Sequence, residues 1–152
     1  MKHENHTRVN QTLVLALLRS QQLFVRAMGP VFRSAGLTAP QWDALETLSS
    51  KGALSINDLM RLTLSTSGNL DVVVKNLIQA GWAEKTVDEH DKRARVLRLT
   101  EAGRQKVAEF LPAHNRALDQ IFCDLDALEK RDTISTLNKL RKKLPQPQKD
   151  GK

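Results

Sequence analysis

The chain has 152 residues, 40% hydrophobic and 27% charged, enough for one domain with a buried core, with or without an oligomerisation appendage. Its longest apolar run near the N-terminus, residues 13–18, is far too short to span a bilayer and lacks a signal-peptide cleavage pattern, so no membrane partner is expected. One cysteine, Cys123, excludes an internal disulfide and fits a cytoplasmic protein, while a net charge of +7 turns attention to polyanions without choosing among them.

In chain order, residues 7–35 repeat apolar side chains every three or four positions, at Val9, Leu13, Leu17, Phe24, Met28 and Phe32. This spacing predicts a long helix that Pro30 kinks or terminates and Gly36 stops. Thr38 followed by Ala39-Pro40 reads as a new helix start, with Trp42, Leu45 and Leu48 on one face and Lys51-Gly52 as the break. Ser55 with Asp58 three residues on predicts an N-cap and a short helix to about Leu62. A further helix is expected from Thr66 to Ala80, ended by Gly81.

Two short β-prone runs follow, residues 82–87 and 95–99. In the second, Val96 and Arg98 are expected on one face and Arg95, Leu97 and Leu99 on the other. Between the runs lies a polar turn, so the pair reads as a hairpin carrying Lys92, Arg93 and Arg95 toward its tip. A cationic ribbon of this kind suits a nucleic-acid groove, where Arg can enter the narrow minor groove. Thr100 then caps a helix bearing Val107, Phe110 and Leu111, which Pro112 should bend rather than end. Asp126 with Glu129 starts a last helix to about Leu144, and residues 145–152, PQPQKDGK, are expected to be disordered. The order is a mainly α (α+β) fold: a winged helix-turn-helix over residues 38–100, flanked by helices over 7–36 and 101–144. Leu13, Leu17, Ile121, Leu125, Ile134, Leu137 and Leu140 exceed the needs of a lone winged helix. A homodimer built by the terminal helices accounts for them; an ordinary intrachain core is the alternative.

On a 3.6-residue wheel the helix over 66–80 turns Leu70, Val74, Leu77 and Ile78 to one face, with Val73 at the edge. The opposite face carries Gly68, Asn69, Val72, Lys75, Asn76 and Gln79. Asn and Gln can pair bidentately with adenine, Val72 can meet a thymine methyl, and Lys75 suits a phosphate. Ser65, Thr66 and Ser67 stand at the N-terminus, where free backbone N–H groups attract an anion. Each residue taken singly fits a solvated helix face. The set gains weight from the helix-turn-helix before it and the basic wing after it.

With these segments in place, the chain resembles the MarR family of bacterial transcriptional regulators over nearly all its length, about residues 13–144. LTAPQWDALETL, SINDLMRL and TSGNLDVVVKNLIQAGW are similar to the family's second, third and recognition helices. The wing carries the family's most specific pattern in Asp91, Arg93, Leu99, Thr100 and Gly103, with Asp88 also present. The resemblance implies that Arg93 enters the minor groove while Asp91 holds it or a neighbouring Arg. Ser65, Thr66, Ser67, Gly68 and Asn69 match the front of the recognition helix. Where many relatives carry Arg this chain has Val73, which leaves base reading to Asn69, Val72 and Asn76.

The family further implies a homodimer on double-stranded DNA, a pseudo-palindromic operator with half-sites about one turn, roughly 34–36 Å, apart. It also implies release by a small aromatic or phenolic effector. If a pocket for one exists, Phe24, Met28, Phe32, Trp42, Phe110 and His114 are expected to line it, although each alone fits a core position. The family's peroxide sensors use an early Cys supported by Tyr. This chain has no Tyr and a late Cys123, which reads as a packed or interfacial thiol. His3, His6, His90 and His114 show no metal-ligand spacing, and no cofactor is expected. No phosphate loop, nucleophile elbow, HExxH or carboxylate pair suggests an enzyme. A protein-interaction module and a non-specific architectural DNA binder remain as alternatives.

Overall fold

The computed structural model describes residues 2–63, 67–88 and 91–144. Helix α1 spans Lys2–Ser34, α2 Ala39–Lys51, α3 Ile56–Leu62 and α4 Ser67–Gln79; strands β1, Ala83–Val87, and β2, Arg95–Leu99, follow. Helices α5, Glu101–Ile121, and α6, Ala127–Lys143, complete the chain. The segment 145–152 expected to be disordered lies outside the described residues.

Local chemistry sets most boundaries. Thr38 caps α2 in a reciprocal capping box: its hydroxyl accepts from the Gln41 N–H at 3.3 Å, and its own N–H donates to Gln41 Oε1 at 2.8 Å. Gly52, at φ 82°, closes the same helix in a conformation that costs a side-chain-bearing residue far more. Ser55 caps α3 by accepting from the Asp58 N–H at 3.1 Å. The Ser55 hydroxyl in turn donates to the Asp58 carboxylate at 2.6 Å, and Arg61 donates to its other oxygen. The Ser55 bond first, and Arg61 with it, hold the Asp58 carboxyl below the usual carboxylate range. Asp126 caps α6 in a second reciprocal box with Glu129.

The strands pair antiparallel, from Ala83 opposite Leu99 to Val87 opposite Arg95. Glu84 lies directly across from Arg98, and the two form an exposed ion pair at 2.8 Å. Leu54, just before α3, exchanges two backbone hydrogen bonds with Leu97 at 2.8 and 3.0 Å. This rung ties the hairpin to the helix-turn-helix. A bridge of one residue has no periodicity to announce it, so it is invisible in the sequence.

Leu45, Leu59, Leu77 and Leu97 are wholly buried at the centre, joined by Met28, Trp42, Leu48, Leu70 and Phe110. The core therefore draws side chains from every element before α6, with α2 and α4 contributing four each. Outside it the sequence expectations need four corrections. Helix α1 begins at Lys2 rather than near residue 7, and it runs through Pro30 to Ser34. Met28 and Phe32, on either side of the proline, are both anchored in the core, and that packing holds the turn despite the missing N–H. In α4 the buried stripe is Leu70, Val73, Val74 and Leu77, so Val73 is core and Ile78 is left 37% exposed. An i, i+3, i+4, i+7 stripe needs position 73, and position 78 falls outside it. In β2 Val96 is buried along with Leu97 and Leu99, which breaks the expected strict alternation. Cys123 is exposed on this chain rather than packed.

Candidate nucleic-acid interface

Helix α4 is anchored by its four-residue apolar stripe, and the rest of its surface faces outward. Gly68, Asn69, Val72, Lys75 and Asn76 are all exposed, with Val72 at 56%. Asp71 is exposed beside them and was not singled out from the sequence. Of the expected N-terminal anion site, Ser65 and Thr66 lie outside the described residues. Ser67 is placed by its backbone alone, as the first residue of α4.

The hairpin turn is shaped by its aspartates. The Asp91 N–H donates to Asp88 Oδ1 at 2.8 Å, and the Arg93 N–H donates to Asp91 Oδ1 at 2.9 Å. The Ala94 N–H closes onto the Asp91 carbonyl at 2.9 Å, and the Asp88 N–H onto the Ala94 carbonyl at 3.0 Å. These are local Asx bonds that turn the chain without glycine. Asp91 thus holds Arg93 by its backbone, and among the described residues no ion pair engages the Arg93 guanidinium. Lys92 and Arg93 project exposed from the tip, and Arg95 opens β2, also exposed. His90 lies outside the described residues.

The root of the hairpin is gripped by the first turns of α5. Thr100 caps α5 by accepting from the Gly103 N–H at 3.1 Å, and its hydroxyl donates to the Gly81 carbonyl at 2.6 Å. The Thr100 N–H reaches the Trp82 carbonyl at 3.1 Å, and Arg104 donates to the Leu99 carbonyl at 3.1 Å. Gly103 is buried directly against the Trp82 carbonyl, with no room there for a Cβ. Leu99, Thr100 and Gly103, noted in the sequence as a pattern, therefore have separate jobs: a core plug, a double cap and a close approach.

The six residues expected around an effector form one aromatic group with a satellite. Trp42 packs edge-on against Phe110 with centroids 4.8 Å apart and lies 5.0 Å from the His114 ring. Phe32 joins both Phe110, at 5.8 Å, and His114, at 6.1 Å. Met28 is fully buried. Phe24 stands apart from these rings, half open, stacked at 6.2 Å on Phe122, a partner that sequence spacing could not reveal. Trp42 Nε1 and His114 Nδ1 are buried yet form no hydrogen bond. Among the described residues no group of three His, Cys, Asp or Glu side chains could hold a metal ion.

Three comparisons match this architecture. A MarR family model matches residues 35–94, which hold α2 through β1 and end just before β2. Transcriptional repressor MprA of Escherichia coli (strain K12) is 26% identical over 152 residues, covering 99% of this chain and 86% of that protein. A MarR family transcriptional regulator from Silicibacter pomeroyi superposes with a TM-score of 0.77 at 25% identity, covering 88% of this chain and 89% of that one. BpsR of Bordetella bronchiseptica, whose DNA binding is regulated by 6-hydroxynicotinic acid, superposes with a TM-score of 0.75 at 25% identity, covering 83% and 90%. With its winged helix anchored between α1 and α5, the chain has the winged helix-turn-helix fold of MarR family transcriptional regulators and is similar to them along nearly its whole length.

Proposed function

We propose that this protein is a homodimeric, sequence-specific DNA-binding repressor of the cytoplasm, released from its operator by a small aromatic ligand. The observation that carries the DNA reading is the division of α4. One stripe is locked in the core, while Asn69, Val72, Lys75 and Asn76 stay open beside a wing that presents Lys92 and Arg93. In this reading α4 enters the major groove, Asn69 and Asn76 read adenine edges, and Val72 meets a thymine methyl. Lys75 meets a phosphate, and Arg93 enters the adjacent minor groove. No helix among the described residues is long and apolar enough to cross a membrane, and no catalytic role is proposed.

Arg93→Ala is expected to weaken operator binding by roughly ten- to a hundredfold, the span of about 1–3 kcal/mol for one groove contact, with the fold intact. The check is a titration of a duplex selected from a random pool by the wild-type protein, with circular dichroism in parallel. Unchanged affinity in a folded variant removes Arg93 from the groove. The wild type itself should prefer the selected duplex over random DNA by a wide ratio, with Kd on the order of 10⁻⁸–10⁻¹¹ M. A salt-dependent affinity without that ratio would instead describe an architectural binder.

The homodimer reading rests on surface left uncovered. Between His6 and Ala27 only Leu17 is even half-buried, and α6 buries nothing. Among the described residues outside α1 and residues 111–144, only Leu62, Val72, Ile78 and Val87 are comparably exposed large apolar residues. So much apolar surface on two terminal helices fits a second copy of the chain.

For the ligand, Trp42 Nε1 and His114 Nδ1 supply the support. An indole N–H is only a donor, and leaving it buried and unmatched costs about 1–3 kcal/mol. An oxygen-bearing aromatic ligand among Trp42, Phe110 and His114 would satisfy it. Such a ligand at a hundred times its Kd should stabilise the fold by about 2.7 kcal/mol, visible as a rise in Tm. A panel of aromatic acids including 6-hydroxynicotinic acid makes the test, with Trp42→Phe expected to abolish the shift. No rise with any member of the panel would remove the effector from the reading.

A further inference from the structure

Lys106, on the second turn of α5, was absorbed neither by the core nor by the DNA-facing surface. Its ammonium donates to the Ala35 carbonyl at 2.6 Å, across 71 residues of chain. Ala35 lies just past the end of α1, where carbonyls have no partner within their own helix and the helix dipole favours a cation. The same nitrogen sits 5.1 Å from the centroid of the Trp82 ring, within range of a cation–π contact. Trp82 is the residue before β1, and its carbonyl is the one that Thr100 and Gly103 hold against α5. One side chain therefore touches the end of the helix that leads from the apolar terminal face and the root of the wing.

We propose that Lys106 is a positioning residue that sets the angle of the wing and its helix-turn-helix relative to the α1 face, and thereby the separation of the two DNA-reading units in the dimer. The physical case is the reach of the contact. The Leu54–Leu97 rung and the Thr100 and Gly103 contacts secure the wing to its own module and to α5. Against the end of α1, Lys106 makes the side-chain hydrogen bond from α5, and it is a charged donor on a neutral carbonyl. Its stem lies half-buried, so methionine retains the packing and removes only the charge and the donors. Arginine retains the charge and can donate to the same carbonyl.

The inference rests on the dimeric DNA-binding reading, and spacing distinguishes the two. The probes are the duplex selected by the wild-type protein, the same duplex with one base pair inserted between its halves, and a single half-site. If the wild type shows no preference among selected and random duplexes, the functional reading fails. If it binds, it should reject the inserted duplex, and K106M should lose roughly tenfold or more of that discrimination, the scale of one charge-assisted hydrogen bond. Affinity for the single half-site and the dimer mass should stay unchanged, and K106R should restore the discrimination. Wild-type discrimination retained by K106M overturns the proposal. So does loss of the half-site affinity, the dimer or the fold in K106M, because Lys106 is then a structural residue. Loss of discrimination in K106R as well as K106M also overturns it, since shape rather than the cation would then be what counts.

Discussion

Gly103→Ala is expected to destabilise the fold by about 2 kcal/mol or more, although alanine is the better helix former by about 1 kcal/mol. A Cβ at this position would collide with the Trp82 carbonyl oxygen, with its carbon 2.9 Å and its Cα 3.2 Å away. These are backbone atoms, so no rotamer change relieves the clash. Moving Trp82 aside would stretch the bond from the Thr100 N–H, and moving α5 aside would open the contact of Val107 and Phe110 with the core. Urea unfolding at fixed protein concentration measures the change, with a lower midpoint at an unchanged slope as the expected form. In a domain of this size the loss corresponds to a fall in Tm of roughly 4–8 °C. A variant as stable as the wild type would mean that α5 can slide on the hairpin root, against the close packing described above.

The second large effect is expected at α6. Ile134 and Leu137 stand three residues apart, on neighbouring turns of one helix side, at 59% and 43% exposure. Replacing both with glutamate should leave the single-chain fold unchanged, since neither contributes to the core, and should convert the proposed dimer to a monomer. Burying two carboxylates at a subunit interface costs far more than the apolar contacts return. Operator affinity should then fall by roughly 10²–10⁴, because the second half-site is no longer tethered to the first. Sedimentation at micromolar concentration reads the mass, and titration with the selected duplex reads the affinity. A double variant that stays dimeric would exclude this face of α6 from the interface.

The elements most readable from the sequence were those whose ends are chosen by local chemistry. Thr38 with Gln41, Ser55 with Asp58, Thr100 and Asp126 with Glu129 each satisfy backbone groups within three residues, so a linear pattern contains the whole cause. The wing was legible for the same reason, as Asp88 and Asp91 build its turn from adjacent residues. The misreadings occurred where a distant element overrides the local rule. Pro30 would stop an isolated helix, but Met28 and Phe32 are held by α2 and α5. Val73 and Ile78 are both apolar, and the direction from which α2 and the hairpin pack decides which is buried.

The candidate interface divides in the same way. The residue types on the outer face of α4, and Lys92 and Arg93 on the wing, follow from periodicity and turn chemistry, while the family pattern in Asp91, Arg93, Leu99, Thr100 and Gly103 is legible only as a resemblance. What that pattern does physically is a matter of long-range contact. Gly103 is needed because Trp82 lies against it, Phe24 meets Phe122, and Trp42 and His114 converge with unmatched nitrogens. The sequence by itself determined the helices, their caps, the turn of the wing and the cationic character of its tip, because each is settled within a few residues. The tertiary structure alone decided which face of α4 stays open, how α5 seizes the hairpin root, and that Lys106 spans from the end of α1 to Trp82. Those outcomes depend on side chains that meet only after loops as long as 71 residues have closed.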